Sequence, residues 1–76
     1  MTPIGWYKFH RFLEHIGCTY VRKKGSHRIY KYPEIIRPIV VPEHSSKPLP
    51  VFIIKNNLRL LGISEKDFLE VIKKLK

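Results

Sequence analysis

The chain has 76 residues and a mass of 9.1 kDa, which fits one domain spanning residues 1–76 and excludes two. Its 43% hydrophobic content is enough for a packed core, and its single cysteine, Cys18, excludes a disulfide framework or a cysteine-rich zinc site. Fifteen Lys and Arg against six Asp and Glu leave a formal charge of +9, which points to an acidic partner, nucleic acid first among them.

Thr2-Pro3 reads as an N-cap followed by proline in a first helical turn. Trp6, Phe9, Leu13 and Ile16 then recur at helical spacing with Phe12 beside them, and Gly17 is placed to end that helix. Residues 18–24 and 27–32 are rich in strand formers and are joined by Gly25-Ser26, so 18–32 predicts a hairpin. Ile39-Val40-Val41 is a third strand, stopped by Pro42, and 43–50 is a loop. Val51, Ile54, Leu58 and Leu61 form a second helical stripe closed by Gly62. Ser64 caps a last helix with Glu65 and Asp67 in its first turn, Phe68, Val71, Ile72 and Leu75 on its apolar face, and lysines at its end. The reading is an α+β fold in the order α-β-β-β-α-α, a three-stranded antiparallel sheet with helices on one face and the other face open.

The charge is uneven. Residues 1–33 hold seven basic residues and one acid, Glu14, whereas 34–76 hold eight and five. Arg22, Lys23, Lys24, Arg28 and Lys31 alternate with Tyr20, Tyr30 and Tyr32, the composition of a surface for phosphates and stacked bases. A solvated strand face and a docking surface for an acidic protein are the competing readings. No apolar run approaches the roughly 18 residues of a membrane span. The N-terminus lacks a signal-peptide pattern, so a cytoplasmic location without membrane contact is expected.

The string Lys24-Gly25-Ser26-His27-Arg28-Ile29-Tyr30, followed by Val41-Pro42-Glu43-His44, resembles the HicA family of mRNA interferase toxins from type II toxin–antitoxin systems. The helix ending in Gly17 and the closing Leu58, Gly62-Ile63-Ser64 and Phe68 pattern fit the same family, so the resemblance covers essentially the whole chain. It implies a fold similar to the double-stranded RNA-binding domain and ribosome-independent cleavage of mRNA with His27 as the catalytic residue. It also implies a HicB-like antitoxin as inhibiting partner.

RNA carries its own nucleophile, the 2′-hydroxyl, so cleavage needs a base, an acid and charge at phosphorus. Histidine serves either proton step near neutral pH. Arg22, Lys23, Lys24 and Arg28 are candidate RNA-binding cations, with Lys24 and Arg28 flanking His27. Gly25 permits a tight turn whose N–H groups can meet phosphate, and Ser26 either orients His27 or caps the turn. Tyr30 either stacks a base or is a half-buried strand aromatic. His44 is either a second proton-transfer group or a loop histidine fixing the turn after the third strand. The bland reading of His27 itself is a turn histidine bonded locally. Strict alternation puts His27 with Ile29 and away from Tyr30; with Ile29 in the core, His27 would sit at the rim beside the first helix. His10 and His15 are five apart and cannot share a metal as an i, i+4 pair would, and there is no His-Glu-x-x-His or paired carboxylate, so neither metal nor cofactor is expected. A non-catalytic RNA-binding module of the same fold is the alternative function.

Overall fold

The computed structural model describes residues 2–43 and 46–75. Six elements follow in chain order: α1 (Trp6–His15), β1 (Thr19–Lys24), β2 (His27–Lys31), β3 (Ile39–Pro42), α2 (Val51–Leu61) and α3 (Glu65–Lys74). The strands pair antiparallel in the order β1-β2-β3, so the fold is α+β with the expected order.

The first helix starts later than its sequence suggests. Thr2-Pro3 does not cap it; Gly5 occupies the N-cap position without a side-chain bond. The reason is non-local: Ile4 bridges to Leu49, whose N–H donates to the Ile4 carbonyl at 2.6 Å, and this holds residues 2–4 out of the helix. At the other end Cys18 N–H bonds the Leu13 carbonyl at 2.9 Å and Gly17 N–H the Glu14 carbonyl at 3.1 Å, the double bond of a Schellman stop. The last helix is capped as read, with the Ser64 hydroxyl accepting from Asp67 N–H at 3.1 Å.

The apolar stripes meet in one core. Phe9, Phe12 and Leu13 of α1 pack with Tyr30, Ile39 and Val41 of the sheet, Ile54 and Leu58 of α2, and Phe68 of α3. Phe12 and Phe68 meet edge to face at 4.7 Å between ring centroids. Each fully buried Phe contributes about 2–3 kcal/mol of apolar burial. Cys18 is buried with them, and burial pushes its thiol up to about 11, as expected of a small core residue rather than a nucleophile.

The two sheet edges differ. On β3, the outward Val40 carbonyl accepts from the buried Asn57 side chain of α2 at 3.2 Å, which covers that edge. Pro42 does not stop the strand but is its last residue. Glu43 N–H donates to the Ser26 carbonyl at 2.7 Å, so by the alternation of an antiparallel ladder the His27–Pro42 pair is a non-hydrogen-bonded one. The proline nitrogen therefore points to the outer edge, where no donor is needed. All six residues of β1, the other edge, are exposed.

Candidate nucleic-acid face

The hairpin tip is a two-residue loop. Lys24 pairs with His27, Gly25 takes φ 62°, and Ser26 keeps a negative φ. Positive φ at the first central residue is the II′ pattern, whose twist matches the flanking strands and which favours glycine there. His27 is thus the first residue of β2, exposed, at the closing pair of a tight turn.

Register decides which face it occupies. Tyr30 is completely buried and lies opposite Ile39, and Arg28 lies opposite Val41, so Tyr30 and Arg28 face the helices. His27 and Ile29, with Val40 and Pro42 across from them, face the open side. The rim position that alternation gives for a core Ile29 is therefore corrected: the core phase belongs to Tyr30, and His27 stands on the open face.

A bulge sorts the cations of β1. Tyr20 pairs with Tyr30 and Arg22 with Ile29, leaving Val21 as an extra residue. Without it Tyr20, Arg22 and Lys24 would share a face. With it, Tyr20 and Lys23 lie on the helix side, and Arg22 and Lys24 lie on the open side with His27 and Lys31.

The arrangement turns two of the candidate RNA-contact residues, Tyr30 and Arg28, toward the inside of the fold. Tyr30 has no exposed surface, so its ring does not stack a base. Arg28 has a side chain only 15% exposed, and it turns inward. Its guanidinium carbon lies 4.7 Å from the Trp6 ring centroid and 4.4 Å from that of Tyr20, a cation between two aromatic faces. Its Nε–H donates to the Tyr30 hydroxyl at 2.9 Å and its Nη1–H to Glu43 Oε1 at 2.7 Å. The Tyr30 hydroxyl also lies 2.6 Å from His10 Nδ1, and His10 Nε2 lies 3.2 Å from Glu14. The assignment that satisfies every group has Tyr30 donating to Nδ1 and His10 Nε2–H pointing to Glu14. Burial pushes the Tyr30 phenol up, against the opposing pull of Arg28. The cations and rings that read as a nucleic-acid surface are thus partly spent inside the fold.

Glu43 carried no sequence signal beyond its place in the Val-Pro-Glu-His string, yet it collects three bonds. Besides its N–H bond to Ser26, its carboxylate accepts from Lys23 Nζ at 3.0 Å and from Arg28 Nη1 at 2.7 Å. Those hydrogen bonds, Lys23's first, hold its carboxyl below the usual carboxylate range. His44, the second candidate proton-transfer group, lies outside the described residues. Among the described residues no group of three His, Cys, Asp or Glu side chains is placed to hold a metal, and no helix is long and apolar enough to cross a membrane. Among the described residues, what the open face offers chemically is the exposed His27 imidazole next to a glycine turn, with Lys24 across from it and Arg22 and Lys31 farther along the same face.

The family model described as HicA toxin of bacterial toxin–antitoxin matches the chain over residues 6–63. No curated protein matches the chain.

Proposed function

The chain belongs to the HicA toxin family of toxin–antitoxin systems, and we propose that it acts as an endoribonuclease on mRNA with His27 as its proton-transfer residue. The observation that carries this reading is the placement of His27: exposed, at the closing pair of a two-residue turn, on the sheet face that also holds Arg22, Lys24 and Lys31. RNA lies across that face with its phosphates on the cations. The imidazole takes the proton of the substrate 2′-hydroxyl as that oxygen attacks phosphorus. The P–O5′ bond breaks, the leaving 5′ oxygen takes a proton from water, and the imidazolium returns its proton to solvent, so the products are a 2′,3′-cyclic phosphate and a 5′-hydroxyl. General base help of this kind is worth about 10²–10⁴-fold. Lys24, opposite His27 in the ladder, and the backbone N–H groups of Gly25 and Ser26 stabilise the non-bridging oxygens.

The partner implied by the family is an antitoxin, and a HicB-like protein with an acidic surface suits this face. Covering Arg22 and Lys24 neutralises charge and hides His27 in one contact. Arg28 does not take part, because it is committed to Trp6, Tyr20, Tyr30 and Glu43. Charge pairs of this kind mainly speed association.

The test is His27→Ala, followed by RNA integrity and growth on induction. An exposed residue at a strand start contributes little packing, so the variant keeps the wild-type fold to within about 0.5 kcal/mol. Cleavage and growth arrest vanish. A folded His27→Ala protein that still cuts RNA at near wild-type rate removes His27 from the mechanism. Wild-type protein that binds RNA but does not cut it leaves the non-catalytic RNA-binding module as the function.

A further inference from the structure

We propose that Glu43 is a positioning residue for His27, a clamp that fixes both arms of the hairpin around the Gly25-Ser26 turn; this rests on His27 being the proton-transfer residue. The geometry is specific to the turn. The nearest β3-to-β2 backbone bonds on either side of His27 are the Arg28–Val41 pair and the Glu43 N–H to Ser26 carbonyl bond, at 2.7 Å. His27 itself, paired with Pro42, has no such bond to β3. Its position toward β3 therefore depends on those two anchors, and the second is the last bond of the ladder.

That last bond would fray alone. What holds Glu43 in place is its carboxylate, which accepts from Lys23 on the arm before the turn at 3.0 Å and from Arg28 on the arm after it at 2.7 Å. Arg28 is itself fixed between the Trp6 and Tyr20 rings and by the Tyr30 hydroxyl, so the clamp is anchored in the core. Charge-assisted bonds to a preorganised guanidinium hold geometry better than a lysine–carboxylate pair alone. A displacement of about 1 Å at a proton-transfer group can cost on the order of 10²-fold in rate. Glu43 touches no substrate in this account and acts only through the position of His27.

The experiment compares wild type, Glu43→Gln and Glu43→Asp in RNA cleavage, with the folded fraction fixed from unfolding curves. Loss of Glu43 removes a negative charge beside two cations, so electrostatics alone leaves RNA binding unchanged or tighter. Positioning predicts the opposite for chemistry. In Glu43→Gln, kcat falls about tenfold or more while KM holds or drops, and Glu43→Asp, which keeps the charge, recovers part of kcat. Equal kcat in Glu43→Gln and wild type overturns the proposal, as does a purely KM-borne change. An independent readout is backbone ¹⁵N relaxation at Gly25, Ser26 and His27, which gains fast motion in Glu43→Gln if the carboxylate clamps the turn and is unchanged if it does not. That readout separates the two failures: wild-type protein that cuts no RNA sinks the proposed activity, whereas an unchanged turn sinks the clamp.

Discussion

The inward arginine is the feature that most changes what the sequence suggests, and replacing Arg28 tests it. In Arg28→Ala the guanidinium leaves the slot between the Trp6 and Tyr20 rings, and its Nε–H bond to the Tyr30 hydroxyl is lost. A partly desolvated cation–π contact is worth about 1–2 kcal/mol, and a charge-assisted hydrogen bond about 1.5–3 kcal/mol. These do not add fully, because the Tyr30 hydroxyl keeps His10 as a partner and is not orphaned. The bond to Glu43 reaches solvent and is screened by salt, so it enters the salt dependence rather than this sum. The expected cost is about 2–3 kcal/mol, and for a domain of this size about 10–20 °C in Tm. Arg28→Lys keeps the charge but loses the planar fork and the Nε donor, so it costs about half as much. Urea and thermal unfolding of the three proteins, monitored by near-UV signal from Trp6, measure both values. An Arg28→Ala variant within 0.5 kcal/mol of wild type, or an Arg28→Lys variant equal to it, refutes a structural arginine and returns Arg28 to the pool of RNA-binding cations.

Two further outcomes follow from the site. In the proposed mechanism the attacking oxygen belongs to the substrate, so a single 2′-deoxy substitution at the scissile nucleotide blocks cleavage and chelator does not; product from the deoxy strand would require an activated water instead. Glu43 also sets an acid limb of stability: its folded pKa lies below its ordinary value of 4.5, so its contribution is present above that pH and is lost as pH falls through the lower folded value. The stability gap between wild type and Glu43→Gln is therefore level above the ordinary carboxylate pKa and narrows as pH falls from there through the lower folded value, whereas a gap that widens in acid contradicts the sign of the shift.

Elements announced by local chemistry were legible. Gly17, Gly25-Ser26, Gly62 and Ser64 mark boundaries because a turn or cap needs those residue types whatever packs around them, and the helical stripes of α2 and α3 became their buried faces. What was not legible depends on partners distant in sequence. The start of α1 moved because Ile4 is bound by Leu49, 45 positions away. The face of His27 was undecidable by alternation alone, because Ile29 and Tyr30 are both acceptable core residues. Tyr30 takes the core because its hydroxyl finds Arg28 and His10 there. The bulge at Val21 has no composition signal, yet it determines which cations join His27. Glu43 was hidden for the same reason: its role is defined by Lys23 and Arg28, on strands that only the fold brings beside it.

The sorting of the hairpin cations has a measurable consequence. Of the five cations on β1 and β2, Lys23 and Arg28 turn to the helix side and share Glu43, which leaves Arg22, Lys24 and Lys31 on the open face with His27. For single-stranded RNA each phosphate contact adds about 0.7 to the slope of log K against log salt. Replacing Arg22, Lys24 and Lys31 together by Gln should therefore flatten the slope by about 2, while Lys23→Gln should change it little. Binding of a non-cleavable deoxy-substituted strand, measured by fluorescence anisotropy across a salt series, gives both numbers without interference from turnover. Opposite sides of one strand are being compared, since Lys23 and Lys24 are adjacent in sequence and both exposed, so overall charge is held constant between the single variants. If Lys23→Gln flattens the slope as much as Lys24→Gln, RNA does not distinguish the two faces, and the assignment of the open face as the binding surface is wrong.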